Sequence, residues 1–226
     1  MKKTWVISLG GSRIVPDDVD YGFLKRFKKM IESHPSKKFV IVTGGGSVAR
    51  KYIVALRELG QKLKKQSSLG IAVTRLNALL MTGIFGKIAN EEIPKDMKEV
   101  KNMLRKNQVV FCGALRYQDK NTTDGTAASL AGYLECGFIN LTNVKGLYSS
   151  NPKKSKSAKF IKEISWKEFY YRAKKIKFKA GQHFVLDQNA SKTIMKNNTE
   201  TYIVGSLSDL DKIISGKSFK GSLIFG

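Results

Sequence analysis

Two glycine-rich turns hold the residues with the clearest chemical capacity. Gly10-Gly11-Ser12 follows the apolar run Trp5 to Leu9, and Thr43-Gly44-Gly45-Gly46 follows Phe39 to Val42. Each turn then opens a segment of helical character. In that strand-to-helix setting, backbone N–H groups and the positive end of a helix can converge on one point with no side chain in the way, an arrangement that receives phosphate. Arg50, one helical turn past Gly46, would add a cation. Neither turn matches G-x-x-x-x-G-K-[ST] or a strand-linked G-x-G-x-x-G, so neither a P-loop nor a dinucleotide fingerprint is present. Either turn taken singly fits a tight connection; two of them at strand ends favour phosphate.

Two carboxylates sit at comparable places. Asp124 ends a polar stretch, 113–123, that leaves a strand at Cys112, where functional loops lie in open α/β sheets. Thr123 or Asp124 is expected to cap the helix that follows. Asp187 opens a later helix, and for both acids the plain alternative is a helix-start role. His34, beside Pro35 in a polar turn, is expected to be inert, and His183 is more readily structural than a site-edge residue.

The elements that must position these groups are legible in the pattern. Short apolar runs at Trp5 to Leu9, Phe39 to Val42, Val109 to Cys112, Phe138 to Leu141 and Thr201 to Val204 alternate with segments of helical period. That alternation marks βαβ units and a mainly parallel sheet, hence an α/β fold. Helices are expected through Phe23 to Ile31, Val48 to Leu59, Val73 to Phe85, Asp96 to Lys106, from Trp166, Asp187 to Lys196, and Leu207 to Ile214, with Ser222 to Phe225 as a closing strand. No repeat and no Pro- or Gly/Ser-rich linker divides the chain, so one domain over 1–226 is expected.

Composition sets the outer limits. The chain has 226 residues, 42% of them hydrophobic, with 41 Lys plus Arg against 18 Asp plus Glu and a formal charge of +23. Such a composition excludes wholesale disorder. Only eight of the 41 cations are Arg, and Lys distributed over helices reads first as a solvated face, then as a funnel for small anionic substrates. Nucleic acid is not an expected partner. The two cysteines, Cys112 and Cys136, are too few for a disulfide scaffold and form no metal motif. The first apolar stretch is too short for a secretory signal, and no uninterrupted apolar run approaches about 18 residues, so a soluble cytoplasmic protein without a membrane segment is expected.

Six segments in order carry a resemblance: Leu9 to Ser12, Val42 to Ile53, Gly70 to Ala78, Thr122 to Ala128, Thr142 to Pro152 and Ala180 to Asp187. Together they resemble the uridylate kinases of the amino-acid-kinase superfamily, nearest the archaeal type, over almost the whole chain. The resemblance implies a three-layer αβα sandwich with an acceptor-binding part at about 1–140 and an ATP-binding part at about 141–226. It implies transfer of the ATP γ-phosphoryl group to UMP, with Mg²⁺, by a homo-oligomer of the hexameric kind. Gly10, Gly11, Ser12 and Gly46 would cradle the ATP phosphates, and Arg50 would neutralise them. Thr142, Asn143, Tyr148 and Asn151 would hold the rest of the nucleotide. Gly45, Ser67, Asn121, Thr122 and Thr123 would meet UMP. Asp124 and Asp187, with Arg50, would be the catalytic set, organising Mg²⁺ or cations, and no direct metal ligand is assigned. Arg75 and Asn77 are expected to make subunit-contact or core-edge hydrogen bonds.

The chain departs from the family pattern near both substrates. Ser8 stands where most of the superfamily has Lys, Lys145 and Asn151 where Asp is usual, and Ser67 where an acid holds the UMP ribose. The 113–123 loop is about two residues longer and carries Arg116, Asp119 and Lys120. These differences leave two alternatives open: another small acceptor on the same fold, or a nucleotide-binding sensor or storage protein with weak catalysis.

Overall fold

The computed structural model describes residues 3–115, 122–150, 152, 155–175 and 186–226. In chain order the elements are β1 (Thr4–Leu9), α1 (Gly11–Ile14), α2 (Tyr21–Glu32), β2 (Lys38–Thr43), α3 (Gly46–Glu58), α4 (Leu63–Phe85), α5 (Met97–Lys106), β3 (Val109–Cys112) and α6 (Thr123–Tyr133). They continue with β4 (Gly137–Leu141), β5 (Leu147–Tyr148), β6 (Phe160–Ile161), β7 (Glu163–Ser165), α7 (Trp166–Lys174), α8 (Gln188–Lys196), β8 (Thr201–Val204), α9 (Leu207–Ile214) and β9 (Ser222–Phe225).

Seven strands form one sheet in the order β3-β2-β1-β4-β8-β9-β7. The first five are mutually parallel, and β9 reverses against β8. In β1 and β2 every residue after the first is buried, because helices cover both faces and leave no water-facing side to alternate with. Phe27, Met81 and Leu210 belong to the core on one face, contributed by α2, α4 and α9. Val100, Ala127, Phe169 and Ile194 belong to the other, from α5, α6, α7 and α8. The expected three-layer α/β sandwich with a mainly parallel sheet is the fold observed.

Topology then decides where a ligand can sit. Chain order climbs from β1 to β2 and β3 on one side and to β4 and β8 on the other, so the order reverses at β1, and open α/β sheets bind ligands beyond the strand ends at that switch. Leu9 stands opposite Thr43 and Leu141, Val42 opposite Cys112, and Leu141 opposite Val204. Gly113, Gly44, Gly10, Thr142 and Gly205 therefore follow one another along a single carboxyl-terminal edge.

Several elements differ from expectation for physical reasons. Helix α4 begins at Leu63 rather than near Val73, since Lys64, Lys65, Gln66 and Ser67 offer helix-forming residues but no apolar period. Strands β5, β6 and β7 are two or three residues long, too short to show alternation. With its short extension to Ile88, α4 spans 26 residues at a hydropathy of 1.4, enough by length and composition to cross a bilayer. Its polar side chains tie one face of it into the fold: Thr74, Arg75 and Asn77 all bond to the backbone of neighbouring segments.

Candidate active site

The two glycine turns interlock. Gly44 N–H donates to Leu9 O at 2.9 Å, and a Cβ on Gly11 would lie 2.0 Å from Gly46 N and 2.5 Å from Gly44 C. No side chain fits between them. Gly46 also has φ +66°, a conformation that L side chains rarely adopt. Support comes from below: Asn77 Nδ2 donates to Gly44 O at 2.7 Å, Thr43 Oγ1 donates to Thr74 O at 2.8 Å, and Thr74 Oγ1 accepts from Ala114 N at 3.0 Å. Arg75 donates through Nε to Ala114 O at 3.2 Å and through Nη2 to Leu115 O. Of the two roles expected for Arg75 and Asn77, these bonds are the core-edge one, and they hold the ends of β2 and β3 in register.

Next to the turns lies a chain of oxygen groups from β1 and from the amino-terminal ends of α6 and α8. Ser8 Oγ, buried at the end of β1, donates to Asp124 Oδ1 at 2.6 Å. Asp124 is in the first turn of α6, whose N-cap is Thr122: its Oγ1 accepts from Gly125 N at 3.2 Å. The cap is thus one residue earlier than Thr123 and two earlier than Asp124, because the capping oxygen must reach the N–H three residues on. That shift frees the Asp124 carboxylate to face β1. Thr122 Oγ1 also donates to Asp187 Oδ2, while Asp187 Oδ1 caps α8 by accepting from Ala190 N at 2.8 Å. Asp187 is a helix cap and a member of the network at once.

Burial pushes the Asp124 carboxyl up to about 6; the nearby Asp187 carboxylate acts in the same direction, and the Ser8 hydroxyl opposes both. A carboxyl at that value is balanced between proton holder and anion near neutral pH. Burial alone pushes the Cys112 thiol up to about 12, and Cys136 is also lifted to about 12. Neither is a nucleophile.

The remaining predicted residues take these places. Ser12 is half-buried in α1, and Arg50 is exposed on α3, in the turn after Gly46. Gly45 precedes α3 without any side-chain cap. Thr142 N–H extends the sheet by donating to Val204 O at 2.9 Å, and Asn143 and Lys145 are exposed beyond it. Tyr148 in β5 packs edge-on against Phe160 at 5.4 Å. Ser67 is half-buried near the start of α4, and Thr123 opens α6. Asn121 and Asn151, with Arg116, Asp119, Lys120 and His183, lie outside the described residues. The fold brings the glycine turns, Asp124, Thr122, Asp187 and Thr142 to one edge; Ser67 joins them through none of the hydrogen bonds above.

Two contributions escape a reading by motif. Thr122 links the two acids, and Arg13, in α1, reaches the carbonyls of Thr142 and Gly205. An Arg directly after a glycine turn, flanked by Ile14 and Val15, was the available sign. His34, expected to be inert, meets Asp211 Oδ1 through Nε2 at 2.7 Å, a structural contact that joins the end of α2 to α9.

An interlocked pair of glycine turns at the switch point of a parallel sheet, facing two carboxylates, defines a phosphate-handling α/β protein. The chain belongs to the amino acid kinase family, whose model matches residues 3–205. It is similar to the uridylate kinase of Thermococcus kodakarensis, 33% identical over 216 residues covering 94% of this chain and 95% of that one. It is also 35% identical to the uridylate kinase of Archaeoglobus fulgidus over 216 residues, 94% of this chain and 96% of that one. A crystal structure of uridylate kinase from Archaeoglobus fulgidus superposes with a TM-score of 0.85 at 33% identity, covering 99% of this chain and all (100%) of that one. UMP kinase from Ureaplasma parvum, 20% identical, shares the fold at a TM-score of 0.82 with 100% of both chains covered.

Proposed function

We propose that this chain is a UMP kinase that transfers the γ-phosphoryl group of ATP to UMP in pyrimidine nucleotide biosynthesis. A phosphate oxygen of UMP bonds to the γ-phosphorus, the bond to the β,γ-bridging oxygen breaks, and UDP and ADP leave. The observation that carries the reading is the interlock of Gly10–Ser12 with Gly44–Gly46, which sets two anion-receiving turns side by side. Two phosphorylated substrates need that juxtaposition, and phosphoryl transfer depends on positioning and charge neutralisation more than on a covalent catalyst.

In this reading Gly10, Gly11, Ser12 and Gly46 hold the ATP phosphates, Gly45 meets the UMP phosphate, and Arg50 supplies positive charge from α3. Thr142, Asn143, Tyr148 and Asn151 hold adenosine; Asn121, Thr122, Thr123 and Ser67 hold UMP. The chain works as one domain, with the acceptor part at about 1–140 and the ATP part at about 141–226. Among the described residues no three His, Cys, Asp or Glu side chains gather into a metal cluster. Mg²⁺ would enter this site as a companion of ATP, and Asp124 and Asp187, hard oxygen groups already oriented by Ser8 and Thr122, fit it. When bound, Mg²⁺ neutralises charge on the phosphates. Ser8 and Thr122 keep the two carboxylates aimed, and the sheet edge excludes competing side chains.

The exposed Leu76, Leu79 and Leu80, at helical spacing on α4, support assembly with further copies, with the hexamer as the expected form. Free Cys112 and Cys136 suit a reducing cytoplasm. The test is ADP release with Mg·ATP against UMP, CMP, dTMP, AMP, GMP, acetylglutamate, carbamate and isopentenyl phosphate, with a no-acceptor blank. Selective turnover of UMP is expected. Turnover of another acceptor in preference to UMP, or blank-level rates throughout, overturns the reading.

A further inference from the structure

Arg13 occupies a place where an apolar residue would pack at less cost. Its guanidinium is partly desolvated, which lowers its pKa from the ordinary value, with Asp20 opposing that shift. The Phe23 ring lies 5.8 Å from it. A charge withdrawn from water in this way needs compensating partners.

Those partners are two strand ends. The β4–β8 ladder closes with Leu141 opposite Val204 and one further bond from Thr142 N–H to Val204 O. Just past it, Arg13 Nε donates to Thr142 O at 3.2 Å, and Nη2 donates to both Thr142 O and Gly205 O at 2.5 Å. A planar guanidinium can grip two diverging carbonyls at once, whereas an ammonium has no such fixed fork. The next loop lies close over this clamp, since a Cβ on Gly205 would be 2.6 Å from Val144 O. Arg13 itself follows Ser12 directly and makes the first bond of α1 through its N–H to Gly10 O at 2.8 Å.

We propose that Arg13 is a positioning residue for the bound nucleotide: it fixes the start of the 142–148 loop relative to the Gly10–Ser12 turn. One end of the clamp is the turn assigned to the ATP phosphates, and the other is the loop assigned to adenosine. The inference rests on the kinase reading for those two assignments. Arg13 need not touch ATP; it sets the separation at which the two ends of one nucleotide are received.

The experiment is calorimetric binding of a non-hydrolysable ATP analogue with Mg²⁺, and separately of UMP, to wild type, Arg13→Met and Arg13→Lys, with thermal midpoints recorded. Arg13→Met is expected to weaken analogue binding by about tenfold or more, given how steeply binding depends on geometry, with Arg13→Lys intermediate and UMP affinity within about twofold. Unchanged analogue affinity in Arg13→Met overturns the inference, as does an equal loss for both ligands, the mark of a general structural lesion. Should Arg13→Met fail to fold, Arg13→Lys decides: wild-type analogue affinity there overturns the inference. Wild type that binds the analogue but phosphorylates no UMP removes the acceptor assignment and leaves the role of Arg13 standing. Wild type that does not bind the analogue removes both.

Discussion

Ser8 and Asp124, 116 positions apart, share a 2.6 Å hydrogen bond at the switch point of the sheet. The contact forms because β1 ends beside the first turn of α6, and because the α6 cap is supplied by Thr122, so the acid is free to turn inward. It makes Ser8, which stands where the resemblance implies a Lys, a partner of the carboxylate proposed as catalytic.

Asp124→Asn is expected to reduce UMP-dependent turnover by at least about tenfold, measured as steady-state ADP release at saturating substrates. A rate equal to wild type would remove Asp124 from the catalytic set.

The same carboxyl gives a stability signature. Its folded value, about 6, lies above the ordinary 3.8, so folding disfavours the ionised form. The penalty is absent below about 3.8 and fully present above about 6. Without Mg²⁺, Asp124→Asn should gain thermal stability over wild type at pH 8, and the gain should shrink as pH falls through 6 towards 4. A difference independent of pH would contradict the raised value.

Gly11→Ala should disrupt the site and the fold together. The added Cβ meets two backbone atoms of the second glycine turn, Gly46 N at 2.0 Å and Gly44 C at 2.5 Å, and backbone cannot rotate away as a side chain would. A loss of about 1–3 kcal/mol or more is expected in denaturant unfolding, accompanied by loss of ATP binding. A stable variant that binds ATP normally would mean the turns are not locked together.

Arg50→Ala tests the opposite situation, an exposed cation on α3. Truncation should leave the unfolding midpoint within about 0.5 kcal/mol of wild type and lower turnover at least about tenfold. Equal turnover would assign Arg50 to the solvated surface.

The apolar face of α4 predicts assembly. Leu79 is 52% exposed and Leu76 59%; replacing both by Lys should shift the mass measured by light scattering from an oligomer to a smaller species. A wild-type monomer would contradict the assembly reading.

Much of this protein is determined locally and can be read from its sequence. Runs such as Phe39 to Val42 are apolar on both faces because the parallel strand is covered on both faces, so strand positions are legible without coordinates. The glycine turns are equally plain, since only glycine permits the approach that Gly11 makes. Other features are decided by packing between distant segments. Whether Asp124 caps its own helix or faces Ser8 depends on which residue, 122 or 124, supplies the capping oxygen, a difference of two positions that composition does not register. Asp187 meets Thr122 across 65 positions, and Arg13 reaches carbonyls 129 and 192 positions away. The sequence by itself determined the long strands and the glycine turns, because these follow from local sterics and periodicity. Only the tertiary structure decided which hydroxyl holds which acid and what Arg13 grips, because hydrogen bonds between remote elements depend on sheet order and register.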